Sequence, residues 1–146
     1  MKNFFKTSTI LLTLLLLSAC NKTASESVNS INKIEKKAEK IEIINFHATY
    51  QCYSCIYIGD MMFKIIEEQF KEEYQSGKIS FKKINVDLPE NKDIVNKYQA
   101  RGSSLFFNII IDGQDNIQED ANVWRLVGND QAFKNYIFNK ITDNLK

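Results

Sequence analysis

The chain has 146 residues, with 19 basic and 18 acidic side chains and a formal charge of +1. A balance this even supplies no basic face, which argues against a nucleic-acid partner. The five glycines form neither a G-x-G-x-x-G nor a P-loop, so no organic cofactor is expected, and a single histidine without a His/Cys-rich tract leaves few options for a metal.

The N-terminus carries Lys2 and Lys6, then an apolar run from Ile10 to Leu17 interrupted only by Thr13, and it ends in Leu17-Ser18-Ala19-Cys20. The run is short of the roughly 20 residues that span a bilayer, and small residues precede the cysteine. This pattern resembles a bacterial lipoprotein signal peptide with its lipobox. The resemblance implies cleavage before Cys20, lipid on its thiol and new amine, and export to the cell membrane or outer membrane with the domain outside the cytoplasm. An uncleaved N-terminal anchor is the alternative. Asn21 to Lys40 are rich in Ser, Asn, Lys and Glu, with a thin stripe of Val28, Ile31, Ile34 and Ala38 that supports a short helix at most. The expected organisation is therefore 1–19 leader, 20–40 lipid-anchored tether and 41–146 one folded domain.

Within that domain, Ile41 to Phe46 read as a strand that runs into Cys52-Tyr53-Ser54-Cys55. Ile58, Met62, Ile65, Ile66 and Phe70 then recur at helical spacing, predicting a helix of about five turns closed by Gly77. Ile79 to Val86 give a second strand ending at Asp87. Pro89 to Tyr98 give a short helix, with the proline near its start. Leu105 to Ile111 form a continuous apolar run, expected as a strand buried on both faces and turned by Asp112-Gly113. The stretch around Ile117, and again Val123 to Val127, is expected to supply an antiparallel edge strand. Gly128-Asn129-Asp130 start a last helix, with Phe133, Tyr136, Ile137, Ile141 and Leu145 on one face. The order is strand, helix, strand, helix, strand, strand, helix: an α/β domain with a four-stranded mixed sheet and flanking helices.

A C-x-x-C between a strand and a helix points to redox chemistry, with a metal site or a structural pair as the plainer readings. A thiol in the first turn of a helix meets unpaired backbone N–H groups and the positive end of the macrodipole, which favour the thiolate. Cys52 lies nearer that terminus and is expected to attack; Cys55, one turn deeper, is expected to resolve. With Cys20 taken by lipid, these two are the remaining thiols, in a compartment where disulfides persist. Tyr50 and Tyr53 are expected at the rim, and Trp124 in packing.

This order, with the C-x-x-C at the first strand-to-helix junction, resembles the thioredoxin fold over residues 41–146. More narrowly, Phe46-His47-x-Thr49-x-x-Cys52-x-x-Cys55, Ile84-Asn85-Val86-Asp87, Pro89-Glu90-Asn91-Lys92, Tyr98-Gln99 and Trp124-x-Leu126-Val127-Gly128 are similar to the ArsF-type thioredoxin-like family. That family is labelled a subunit of a nitrophenyl compound nitroreductase, which implies a redox partnership. Two departures from the general thioredoxin pattern stand out. Where the resemblance places a cis-proline in the substrate loop, this chain has Ser103-Ser104, and a cis bond before a non-proline residue costs about 2.5–4 kcal/mol, so a trans bond is expected. Where it places a buried Asp, this chain has Asn45, which cannot take a proton; His47 is the nearest replacement base.

The expected function is a membrane-anchored thiol–disulfide oxidoreductase whose catalytic residues are Cys52, Cys55 and His47 and which exchanges electrons with disulfide or dithiol groups of partner proteins. Direction is not encoded in the sequence. The competing readings are a soft-metal (copper or zinc) module using Cys52 and Cys55, with His47 as a third ligand, and a non-catalytic accessory subunit of a redox complex.

Overall fold

The β-branched and aromatic runs form a four-stranded sheet in the computed structural model, which describes residues 37–146. The strands are β1 (Lys40–His47), β2 (Ile79–Asn85), β3 (Ser104–Ile110) and β4 (Ile117–Glu119), in the spatial order β2-β1-β3-β4. β1 pairs with β2 in parallel, from Ile41 opposite Ile79 to His47 opposite Asn85. It pairs antiparallel with β3, placing Phe46 opposite Ser104, and β3 pairs antiparallel with β4. With the helices α1 (Tyr53–Gln69), α2 (Lys71–Gln75), α3 (Lys92–Tyr98) and α4 (Asp130–Leu145), this is a thioredoxin-like fold.

The alternation of β1 divides the core. Ile41 and Ile43 face a cluster with Ile58, Met62 and Ile65 of α1, Phe107 of β3 and Phe133, Ile137 and Ile141 of α4. Ile44 and Phe46 face the opposite side, where Tyr98 of α3 and Phe106 complete an aromatic trio with ring centroids 5.6–5.7 Å apart. A strand with both faces covered reads as a near-continuous apolar run, as β3 does from Leu105 onward apart from Asn108.

The structure departs from the sequence reading in three places. The long helix is not continuous to Gly77: at Phe70 the backbone leaves helical geometry (φ −133°), which keeps that ring buried against Phe138, and the short α2 follows with no buried residue. Pro89–Asn91 form a 3₁₀ turn leading into α3, so the proline opens the turn and not the α-helix itself. Val123 to Val127 do not form a strand. Ala121–Leu126 are a 3₁₀ helix, because the buried carboxylate of Asp120 accepts the backbone N–H of Asn122 at 3.1 Å and starts a helical turn that carries Val123 into the core. The hairpin turn is as expected: Asp112 (φ 51°) and Gly113 (φ 71°) both have positive φ, the geometry of a two-residue turn.

Ala38 is buried and its N–H donates to the carbonyl of Asn144 at 3.0 Å, so ordered packing begins just before β1. Cys20, the leader and the tether up to residue 36 lie outside the described residues. Among the described residues, no helix is long and apolar enough to cross a membrane.

Candidate active site

β1 delivers His47 to one end of the sheet, and the segment from Ala48 to Gln51 carries the chain to Cys52 at the head of α1. Cys52 has extended backbone angles (φ −77°, ψ 164°) and acts as the N-cap: its sulfur accepts the N–H of Cys55 at 3.2 Å, and its carbonyl accepts the N–H of Ile56 at 3.1 Å. Ser, Thr, Asn and Asp usually fill this position with an oxygen acceptor. A sulfur that already receives a backbone N–H is placed to hold negative charge, and the first turn of α1 contains no acidic residue to oppose it.

Cys52 and Cys55 are joined by a disulfide, with Cα atoms 5.1 Å apart. The two sulfurs differ in access: Cys52 is exposed, Cys55 only 8% so. A partner can therefore reach Cys52, whereas Cys55 is reached from Cys52. Tyr50 and Tyr53, on either side of Cys52, are 95% and 73% exposed, more open than the half-buried rim position expected of them. Trp124 packs on the core.

The segment before Cys52 is braced by residues to which sequence reasoning gave no role. Thr49 N–H donates to Asp87 Oδ2 at 2.7 Å, Asn85 Nδ2 donates to Thr49 Oγ1 at 3.1 Å, and Asp87 N–H donates to Asn85 Oδ1 at 3.0 Å. The Thr49 amide and then its hydroxyl hold the Asp87 carboxyl below the usual carboxylate range, with His47 adding to the effect. The available signal was Asn85-x-Asp87 at the end of a strand, a pair suited to turn and cap bonding. On the opposite flank, Tyr57 donates to Asp130 at 2.8 Å and links α1 to the first turn of α4; burial, then the Asp130 carboxylate, pushes its pKa up to about 12.

The remaining expected site residues fall as follows. His47 is half-buried, and its Nδ1 lies 3.0 Å from the Ala48 carbonyl, which fixes that nitrogen as the donor and leaves Nε2 as the basic one. Ser104 is buried opposite Phe46, its hydroxyl donates to the Gly102 carbonyl at 3.0 Å, and the Ser103–Ser104 peptide is trans. With Gln99, Arg101 and Glu119, these serines line an open groove of about 500 Å³. Asn45 is buried beneath α1. Among the described residues no three His, Cys, Asp or Glu side chains gather as a metal-ligand set.

No protein-family model matches the sequence. No curated protein matches it either. Among solved structures, the chain is similar to thioredoxin from Fasciola hepatica at 20% identity and a TM-score of 0.45, covering 73% of this chain and 83% of that one. It is similar to mitochondrial thioredoxin 3 from Saccharomyces cerevisiae, in its oxidized form, at 20% identity and a TM-score of 0.43, with the same coverages. Human ERp44 in a zinc-bound form gives 20% identity and a TM-score of 0.48 over 74% of this chain, which spans 28% of that longer one. The thioredoxin-like architecture itself rests on the strand order and directions described above.

Proposed function

We propose that this protein is a thiol–disulfide oxidoreductase, held at a bacterial membrane by lipid on Cys20, that exchanges electrons with partner proteins through Cys52 and Cys55. The observation that carries the reading is the position of one sulfur: exposed, capping α1, accepting a backbone N–H and bonded to a buried second sulfur one turn on. Acting as a reductant, Cys52 thiolate attacks a partner disulfide and expels one partner thiolate. Cys55, losing its proton, then attacks Cys52, the mixed disulfide breaks, and the second partner thiolate leaves. The same steps in reverse oxidise a partner dithiol.

Three residues that carry the likeness to the ArsF-type family, Thr49, Asn85 and Asp87, meet in the brace beside the dithiol, which supports a redox role for that end of the molecule. The Ser103-Ser104 loop and its groove are assigned to the partner polypeptide. His47 Nε2 is assigned the proton of Cys55 during resolution.

The test mixes fully reduced protein with a disulfide-bonded peptide and follows peptide thiols together with the Cys52–Cys55 bond. Cys52→Ala should abolish the exchange; an unchanged rate overturns the proposal. Replacing His47 by Asn should slow resolution of a preformed mixed disulfide and leave alkylation of Cys52 unchanged. An unaltered rate of resolution would assign the proton to water. For the anchor, mass spectrometry of membrane-extracted protein should find an N-terminal, acylated Cys20, and an unmodified Cys20 refutes it.

A further inference from the structure

We infer that Asn45 is the hydrogen-bond acceptor for the Cys55 thiol of the reduced protein and that it thereby favours the dithiol over the disulfide. The inference deepens the oxidoreductase reading, on which it rests for the cycling of the pair between two states.

Asn45 is 3% exposed, and its Oδ1 is the buried side-chain oxygen or nitrogen left without a hydrogen-bond partner among the described residues. Buried polar groups are nearly always satisfied, so an orphan in an otherwise ordered core calls for a reason. Its location supplies one. A Cβ built on Gly59 of α1 would stand 2.5 Å from Oδ1, so the carboxamide occupies space that any other residue at 59 would claim. Cβ vectors on a helix tilt toward the N-terminus, so this space lies over the turn that begins at Cys55, four residues earlier on the same buried face.

The nearest alternative donor makes no bond to it. Lys83 stands opposite Asn45 in the sheet register, and its Cε comes within 3.1 Å of the same Cβ position, but its ammonium is turned to Asp60 at 2.6 Å and Oδ1 receives none of its N–H groups. In the disulfide, Cys55 has no proton to offer. On reduction it gains an S–H, a weak donor, and Oδ1 gains a partner directly. The acceptor is thus unsatisfied in the oxidised protein and satisfied in the reduced one. Being an amide, it achieves this without adding a buried negative charge. It is a positioning residue that acts through Cys55.

The test is the equilibrium with glutathione. Two glutathione thiols yield two electrons and two protons and join as glutathione disulfide, while the Cys52–Cys55 bond breaks. One proton stays on Cys55 and the other goes to Cys52 or, where Cys52 stands as thiolate, to water. The full chain is equilibrated at fixed pH, quenched by alkylation, and the Cys52–Cys55 peptide is quantified by mass spectrometry. Asn45→Val and Asn45→Ala should each move the equilibrium toward the disulfide by about tenfold, which for two electrons is about 30 mV. A change within about twofold in both, or a shift toward the dithiol, overturns the inference. The unsubstituted protein gives an independent reading: the S–H stretch of reduced Cys55 should lie below that of a free thiol, and an unshifted band overturns the inference whether or not the variants fold. A null result here with peptide exchange intact rejects the role of Asn45 alone, and loss of exchange leaves the glutathione equilibrium measurable.

Discussion

Two buried polar side chains, Asp120 and Asn45, are treated in opposite ways by the same core. Asp120, 2% exposed, accepts from Tyr136 Oη at 3.0 Å on both oxygens, pairs with Lys140 Nζ at 2.9 Å and caps the turn at Asn122. Lys140 in turn lies 4.8 Å from the centroid of Phe107. Asn45, equally buried, has no partner for its oxygen. The saturated group sits where the chain must be held in one shape, between the end of β4 and α4. The open group sits under Gly59 of α1, one turn along from Cys55, where we assign it a second bonding state. The difference separates architecture from chemistry within one small fold.

The largest expected effect tests the saturated side. Replacing Asp120 by Ala strands Lys140 without its carboxylate and should lower stability by about 3–5 kcal/mol, read by urea unfolding. It should leave the glutathione equilibrium of the dithiol untouched; a shift there would mean that the two polar sites are coupled and the contrast is false.

A smaller loss is expected at the open side. Gly59→Ala gives α1 a better helix former, worth about 1 kcal/mol, but forces a methyl against Asn45 Oδ1, and overpacking of this kind costs about 1–3 kcal/mol. A net loss should appear in the urea midpoint. A gain would show that the carboxamide is free to move aside and is not held under the helix.

The smallest effect concerns Tyr98, which shares Glu42 Oε2 at 3.4 Å on the far face of the sheet. Burial first, and the Glu42 carboxylate next, push its pKa from the ordinary 10 up to about 12. The unfolded chain releases this proton near 10 while the folded chain keeps it. Its share of stability is therefore complete below pH about 10 and falls as pH rises toward about 12. Urea midpoints across that window should decline more steeply for the unsubstituted protein than for Tyr98→Phe.

Much of this was legible in the residues. Period-two and continuous apolar runs marked β1, β2 and β3, Asp112-Gly113 marked the hairpin, and the C-x-x-C declared itself at a strand-to-helix junction. The break at Phe70 was not legible, because its ring continues the helical spacing and only its tertiary burial against Phe138 bends the backbone. Val123 to Val127 have strand composition, and the turn they form is imposed by Asp120, whose partners Tyr136 and Lys140 lie on a later helix. At the site, Asn45 could be singled out by its position, but its lack of a partner appears only once Gly59 is laid over it. A glycine inside an otherwise regular amphipathic helix was the trace of that approach.

The central claim is that Cys52 attacks and Cys55 resolves. It is tested most directly by reacting fully reduced Cys55→Ser and Cys52→Ser proteins with a disulfide-bonded peptide and mapping the adducts by mass spectrometry. The account predicts a stable mixed disulfide on Cys52 in the Cys55→Ser protein and little or none on Cys55 in the Cys52→Ser protein, because Cys55 is buried. A mixed disulfide that accumulates on Cys55 and not on Cys52 would contradict it.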